Sequence, residues 1–65
     1  RVNSISPGGV NDGQAENFIS EYNKKCLTKG MLNKDDLNGS LVYLLSSMSN
    51  YVNGQNIIVD DGFSL

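Results

Sequence analysis

The chain has 65 residues, 5 basic and 7 acidic for a net charge of -2, and contains no His, no Trp, one Cys and one Pro. That inventory excludes a His-activated nucleophile, a His-bearing metal cage and an intrachain disulfide. The balanced charge offers no basic field for nucleic acid or an anionic membrane, and no apolar run reaches the roughly 18 residues of a membrane helix.

The alternation of Val2, Ser4 and Ser6 against Arg1, Asn3 and Ile5 predicts a strand over 1–6 that starts at the first residue. Pro7, Gly8 and Gly9 end it, since Pro removes a ladder donor and Gly permits unusual φ, and 7–13 is a loop. An amphipathic helix is expected from Gln14 to Cys26, within a segment 14–30, with Ala15, Phe18, Ile19 and Tyr22 on one face. Asp12 is the expected cap of that helix, and Gly30 closes the segment.

A second helix is predicted over 34–47. Asn33 is its cap, Asp35 and Asp36 complement the dipole in its first turn, and Leu37, Leu41, Leu44, Leu45 and Met48 recur at three- and four-residue steps. A serine-rich stretch breaks it, Asn53-Gly54 makes a turn, and 55–60 forms a final strand. The unbroken run Ile57-Ile58-Val59 is typical of a strand with both faces covered. The order strand, loop, helix, helix, strand is the unit of an α/β parallel sheet. Two strands are too few for such a sheet, and so short a chain gains little more from burial than it loses in ordering entropy. It is therefore expected to be one segment of a larger domain.

Three stretches carry a family resemblance. Asn3-Ser4-Ile5-Ser6-Pro7-Gly8-Gly9-Val10 resembles the Asn-x-x-x-Pro-Gly segment after the sixth strand of short-chain dehydrogenases/reductases. Met31-Leu32-Asn33-Lys34-Asp35-Asp36-Leu37 resembles the lead into that family's last long helix. Tyr51 to Phe63 is similar to its C-terminal Thr-Gly-x-x-x-x-Val-Asp-Gly-Gly strand and tail, with Asp61 in place of the usual Gly. The match is in register over the whole chain.

The resemblance implies the C-terminal part of a Rossmann-type doubly wound sheet from an NAD- or NADP-dependent oxidoreductase, similar to the 3-oxoacyl-carrier-protein reductases and to sugar and steroid dehydrogenases. Hydride would pass between nicotinamide C4 and a carbonyl or alcohol carbon, with an upstream Tyr as acid or base. Catalytic residues are expected to be absent here. The family's Ser, Tyr, Lys set lies upstream, and Tyr22, Tyr43 and Tyr51 are followed four residues later by Cys26, Ser47 and Gln55 rather than Lys. The residues deciding NAD against NADP are also expected upstream.

Pro7, Gly8, Gly9, Val10 and Asn11 are the expected cofactor-side loop, with backbone at Val10 on the nicotinamide carboxamide and two glycines that let backbone approach a flat ring. Residues 12–30 resemble the family's substrate loop, which makes Phe18, Ile19, Tyr22 and Met31 candidates for pocket lining. An ordinary apolar helix face is the competing reading. Lys24, Lys25 and Lys29, beside Glu16 and Glu21, read as a solvated face more than as an anion site.

Cys26 is expected to be a structural thiol in a reducing, cytoplasmic setting, and the adjacent Asp60 and Asp61 are too few to hold a metal. The last helix and strand are the expected contact surface of a homodimer or homotetramer. The alternative function is a stand-alone or noncatalytic oligomerisation or binding module.

Overall fold

In the computed structural model, which describes residues 1–65, two short parallel strands lie side by side. Strand β1 (Ser4–Pro7) pairs with β2 (Asn56–Val59) in the register Ser4 to Asn56, Ile5 to Ile57, Ser6 to Ile58 and Pro7 to Val59. Helix α1 (Glu16–Asn23) and helix α2 (Asn38–Leu45) lie on the crossover between them. The architecture is α/β with a parallel pair, as the element order implies.

The strand begins at Ser4 rather than at residue 1 because the first three residues bond sideways. Val2 N–H donates to Asn53 Oδ1 at 2.9 Å, Asn3 Nδ2 donates to the Val52 carbonyl at 2.9 Å, and Asn3 Oδ1 accepts from Gln55 N–H at 2.9 Å. Arg1 reaches the far end of α2, donating to the Leu44 and Ser49 carbonyls and to Ser49 Oγ at 2.8 Å. Pro7 is the last strand residue, and the next donor, Gly8 N–H, reaches the Val59 carbonyl at 2.9 Å.

Helix α1 is shorter at both ends than the expected 14–26. Its cap position is Ala15, which has no side-chain cap, so the expected cap Asp12 lies three residues ahead of it, in a turn where its N–H donates to Gln14 Oε1 at 2.7 Å. It stops at Asn23, whose Oδ1 accepts from Met31 N–H at 2.9 Å, and Lys25 and Cys26 continue as single tight turns before Leu27 N–H bonds to the Asp61 carbonyl. The second helix opens as a 3₁₀ turn over Lys34–Leu37. There the Asp36 carboxylate accepts from the Asn33 N–H at 2.7 Å, satisfying a donor that the turn leaves free. It closes at Leu45, where Ser46 caps a second 3₁₀ turn, Ser47–Ser49.

Burial is sparse. Leu32 and Ser49 are 8% and 0% exposed, and Gly30 is the third buried residue. One face of β1 turns Ile5 toward Leu41, Leu44 and Leu45 of α2 across an open cleft. The opposite face carries Ser4, Ser6, Asn56 and Ile58, and Ile58 is 59% exposed, so β2 is not covered on both faces within these 65 residues. Nothing within these 65 residues packs on that face, so the apolar run expected to be covered on both sides is open on one. No helix is long and apolar enough to cross a membrane.

Candidate functional site

The C-terminal ends of parallel strands are where ligands of open α/β sheets gather, and here that edge is residues 7–13. Gly8 and Gly9 within it are required by packing. A Cβ on Gly8 would lie 2.6 Å from Asp60 Cβ, and one on Gly9 would lie 2.9 Å from the Tyr22 ring. The flat ring that the glycines admit within this chain is thus the Tyr22 side chain, and Tyr22 Oη accepts the Gly9 N–H at 2.6 Å.

The loop's other backbone groups are nearly all engaged. Val10 and Leu32 pair in an isolated parallel bridge, with Leu32 N–H donating to the Gly9 carbonyl at 3.0 Å and Asn11 N–H to the Leu32 carbonyl at 2.7 Å. Gln14 ties the loop from outside, its Nε2 donating to the Val10 carbonyl at 3.0 Å. Asn11 Oδ1 accepts from Gly13 N–H at 3.3 Å. Between Gly8 and Gly13 the one N–H with no acceptor in the chain is that of Val10. An unpaired, half-buried amide at the end of a parallel pair is a donor available to a carbonyl oxygen.

The expected pocket residues do not converge on one cavity. Tyr22 meets the glycine loop directly, and Met31 adjoins it through its neighbour Leu32. Phe18 shares a shallow pocket with Glu21, Tyr22, Lys25 and Phe63, whereas Ile19 lies on another surface with Glu16, Ser20, Asn23 and Lys24. Lys24 pairs with Glu21 at 2.8 Å in an exposed contact, which fits a solvated face.

Two residues of the tail were not legible as site residues. Phe63 stacks on Tyr22 with ring centroids 4.1 Å apart and planes 10° from parallel, and Lys25 Nζ lies 5.6 Å over the Phe63 ring. Asp61, in the left-handed region at φ 52°, gathers donors from the end of segment 12–30. Its carboxylate accepts from Thr28 Oγ1 at 2.6 Å and from the N–H groups of Thr28, Lys29 and Gly30 at 3.0, 2.6 and 2.6 Å. The Thr28 hydroxyl, then these amides, hold its carboxyl at about 2 against an ordinary 3.8. Asp60 is also lowered, first by the Ser64 side chain, and its carboxylate accepts from Gly62 and Ser64 N–H.

Burial, then the charges of Asp61 and Asp60, push the Cys26 thiol up, which disfavours the reactive thiolate. No group of three or more His, Cys, Asp or Glu side chains is placed to hold a metal.

The fold and this edge have counterparts. A profile described as Enoyl-(Acyl carrier protein) reductase matches residues 1–64. The chain belongs to the short-chain dehydrogenase/reductase family. A short-chain dehydrogenase from Leptospira borgpetersenii, solved with bound NAD+, superposes on all of the chain with a TM-score of 0.95 and 46% identity. A short-chain type dehydrogenase/reductase from Mycobacterium marinum superposes on 98% of it with a TM-score of 0.83 and 31% identity. In each, the matched part is 26% of the solved chain.

Among curated relatives, the Post-translational flagellin modification protein A of Campylobacter coli is 49% identical over 65 residues, covering 100% of this chain and 25% of that protein. An NADP-dependent mannitol dehydrogenase of Hypocrea jecorina is 40% identical over 70 residues, covering 98% and 26%. This short-chain dehydrogenase/reductase segment thus spans about a quarter of the length of the relatives it matches.

Proposed function

We propose that these residues are the nicotinamide-side loop, substrate lid and subunit-contact edge of an NAD- or NADP-dependent oxidoreductase acting on a carbonyl or alcohol. The observation that carries this reading is the free Val10 N–H, set beside two glycines at the C-terminal end of the parallel pair. The cofactor, when bound, supplies a hydride donor or acceptor at nicotinamide C4. The Val10 N–H would donate to its carboxamide, with Pro7, Gly8 and Gly9 holding the loop on which it sits and the exposed Asn11 next along it. Residues 12–30 form the lid, from which Tyr22 and Met31 approach the loop, while Phe18 and Ile19 serve packing on the outer surfaces.

No residue of this chain does the proton chemistry. The catalytic Ser, Tyr and Lys belong to sequence outside these 65 residues, and the 65-residue chain alone is inactive. The apolar surface of α2 and β2 joins a second copy into a homodimer or homotetramer, and the lone raised thiol of Cys26 suits the cytoplasm. A stand-alone or noncatalytic oligomerisation or binding module is the second reading, which uses the same surface, with Leu45 and Met48 at 76% and 82% exposure.

Calorimetry of the full-length protein with NAD(H) and NADP(H) separates the two. Binding of either nucleotide at micromolar concentration, with nicotinamide-dependent turnover of a ketose or polyol panel, is expected. Heatless titrations with all four nucleotides leave only the noncatalytic reading.

A further inference from the structure

We propose that Asp61 is a positioning residue, a latch that ties the end of the lid to the end of β2 and so holds Tyr22 against the nicotinamide-side loop. The inference rests on the oxidoreductase reading above. Helix α1 cannot fix its own place, since it has no side-chain cap and buries none of its residues. Its placement therefore falls to contacts at and beyond its C-terminal end. In its last turn the Tyr22 hydroxyl accepts from Gly9 N–H, and past the helix four successive residues, Leu27 to Gly30, donate to one residue.

Leu27 N–H donates to the Asp61 carbonyl at 2.8 Å, and the other donors converge on its carboxylate. The neighbouring Asp60 folds the tail back through Gly62 and Ser64, which brings Phe63 onto the Tyr22 ring. The two aspartates thus act, from a single turn after β2, on the C-terminal end of the lid helix and on the segment that follows it.

A backbone at φ 52° is one that Gly or Asn adopts more readily than Asp. If the position served only the turn, Gly would serve it better. The convergent donors account for a carboxylate there. This gives a variant that separates the two roles, because Asp61→Gly relaxes the backbone while removing the latch. Asp61→Asn keeps the backbone preference and one acceptor oxygen, and so restores part of the contact.

The test is amide hydrogen exchange on the full-length protein and both variants, with and without NADH or NADPH. In Asp61→Gly, exchange at Thr28, Lys29 and Gly30 is expected to rise about tenfold or more while the β1 and β2 amides stay unchanged. Asp61→Asn falls between. Added nucleotide slows exchange over 16–31 in the wild type and fails to do so in Asp61→Gly.

Exchange at 28–30 within about twofold of wild type in both variants overturns the latch, as does a loss of protection spread equally over both strands. A wild-type protein that binds neither nucleotide overturns the oxidoreductase reading and the pocket role of Asp61 with it. Binding by the wild type with unaltered exchange in Asp61→Gly removes the latch alone.

Discussion

The two ends of the molecule are built on opposite terms. Around residues 7–14, 22–32 and 60–64, order comes from polar contacts that close on one another within the chain, and nearly every backbone donor of the loop has an acceptor. Along α2 and the outer face of β2, apolar side chains are in place with nothing against them: Val42, Leu45, Met48 and Ile58 are all more than half exposed. Hydrogen bonds are directional and short-ranged, so a turn can satisfy them locally. Apolar area is satisfied only by another surface. The loop end is therefore specified from inside the chain, and the helix end is left open by it.

The largest effect that breaks this contrast is on assembly. Leu45→Glu combined with Met48→Glu places two charges on the surface assigned to the subunit contact, where each would be buried without a partner. The expected outcome is complete dissociation to monomer by light scattering, with the loop end intact. An unchanged oligomer mass moves the contact away from α2.

A smaller effect is expected at the polar end. Tyr22→Phe keeps the stack on Phe63 but removes the acceptor of the Gly9 N–H, so denaturant unfolding should show a loss of about 1 kcal/mol. An unaltered midpoint means that water replaces the hydroxyl at no cost, and that the polar end is less closed than its distances imply.

The smallest effect is the pH response. A carboxyl whose folded value lies near 2, below its ordinary 3.8, contributes stability that is fully present above the unfolded value and is lost as pH falls through the folded one. Wild-type protein should lose stability between about pH 4 and pH 2 more steeply than Asp61→Gly, as followed by thermal melts across that window. Parallel curves sink the assignment of the shift to folding.

Much of the order of elements was legible because it depends on neighbours in sequence. Pro7-Gly8-Gly9 stopped β1, Asn53-Gly54 turned the chain, and the leucine spacing from Leu37 to Leu45 marked α2. What was not legible depends on distant partners. Helix α1 ends at Asn23, where the backbone tightens into turns and the Asn23 side chain meets Met31, and β1 begins late because the 52–55 turn claims Val2 and Asn3. Asp61 could be read only as a departure from the usual Gly of a tail pattern. Its donors lie more than thirty positions away, where no local periodicity reports them. Tyr22 was placed on the correct face of the helix, but as an apolar surface, and its hydroxyl is what reaches the loop.

On the open face of the sheet, the hydroxyls of Ser4 and Ser6 both donate to Asn56 Oδ1 at 2.9 Å. Side chains alternate faces along a strand, so sliding β2 by a single residue would carry that oxygen to the side of Ile5 and strand both hydroxyls. The fork works as a key for strand alignment. Strands this short have few ladder bonds to choose between correct and shifted pairings, and the fork is made in the correct one alone.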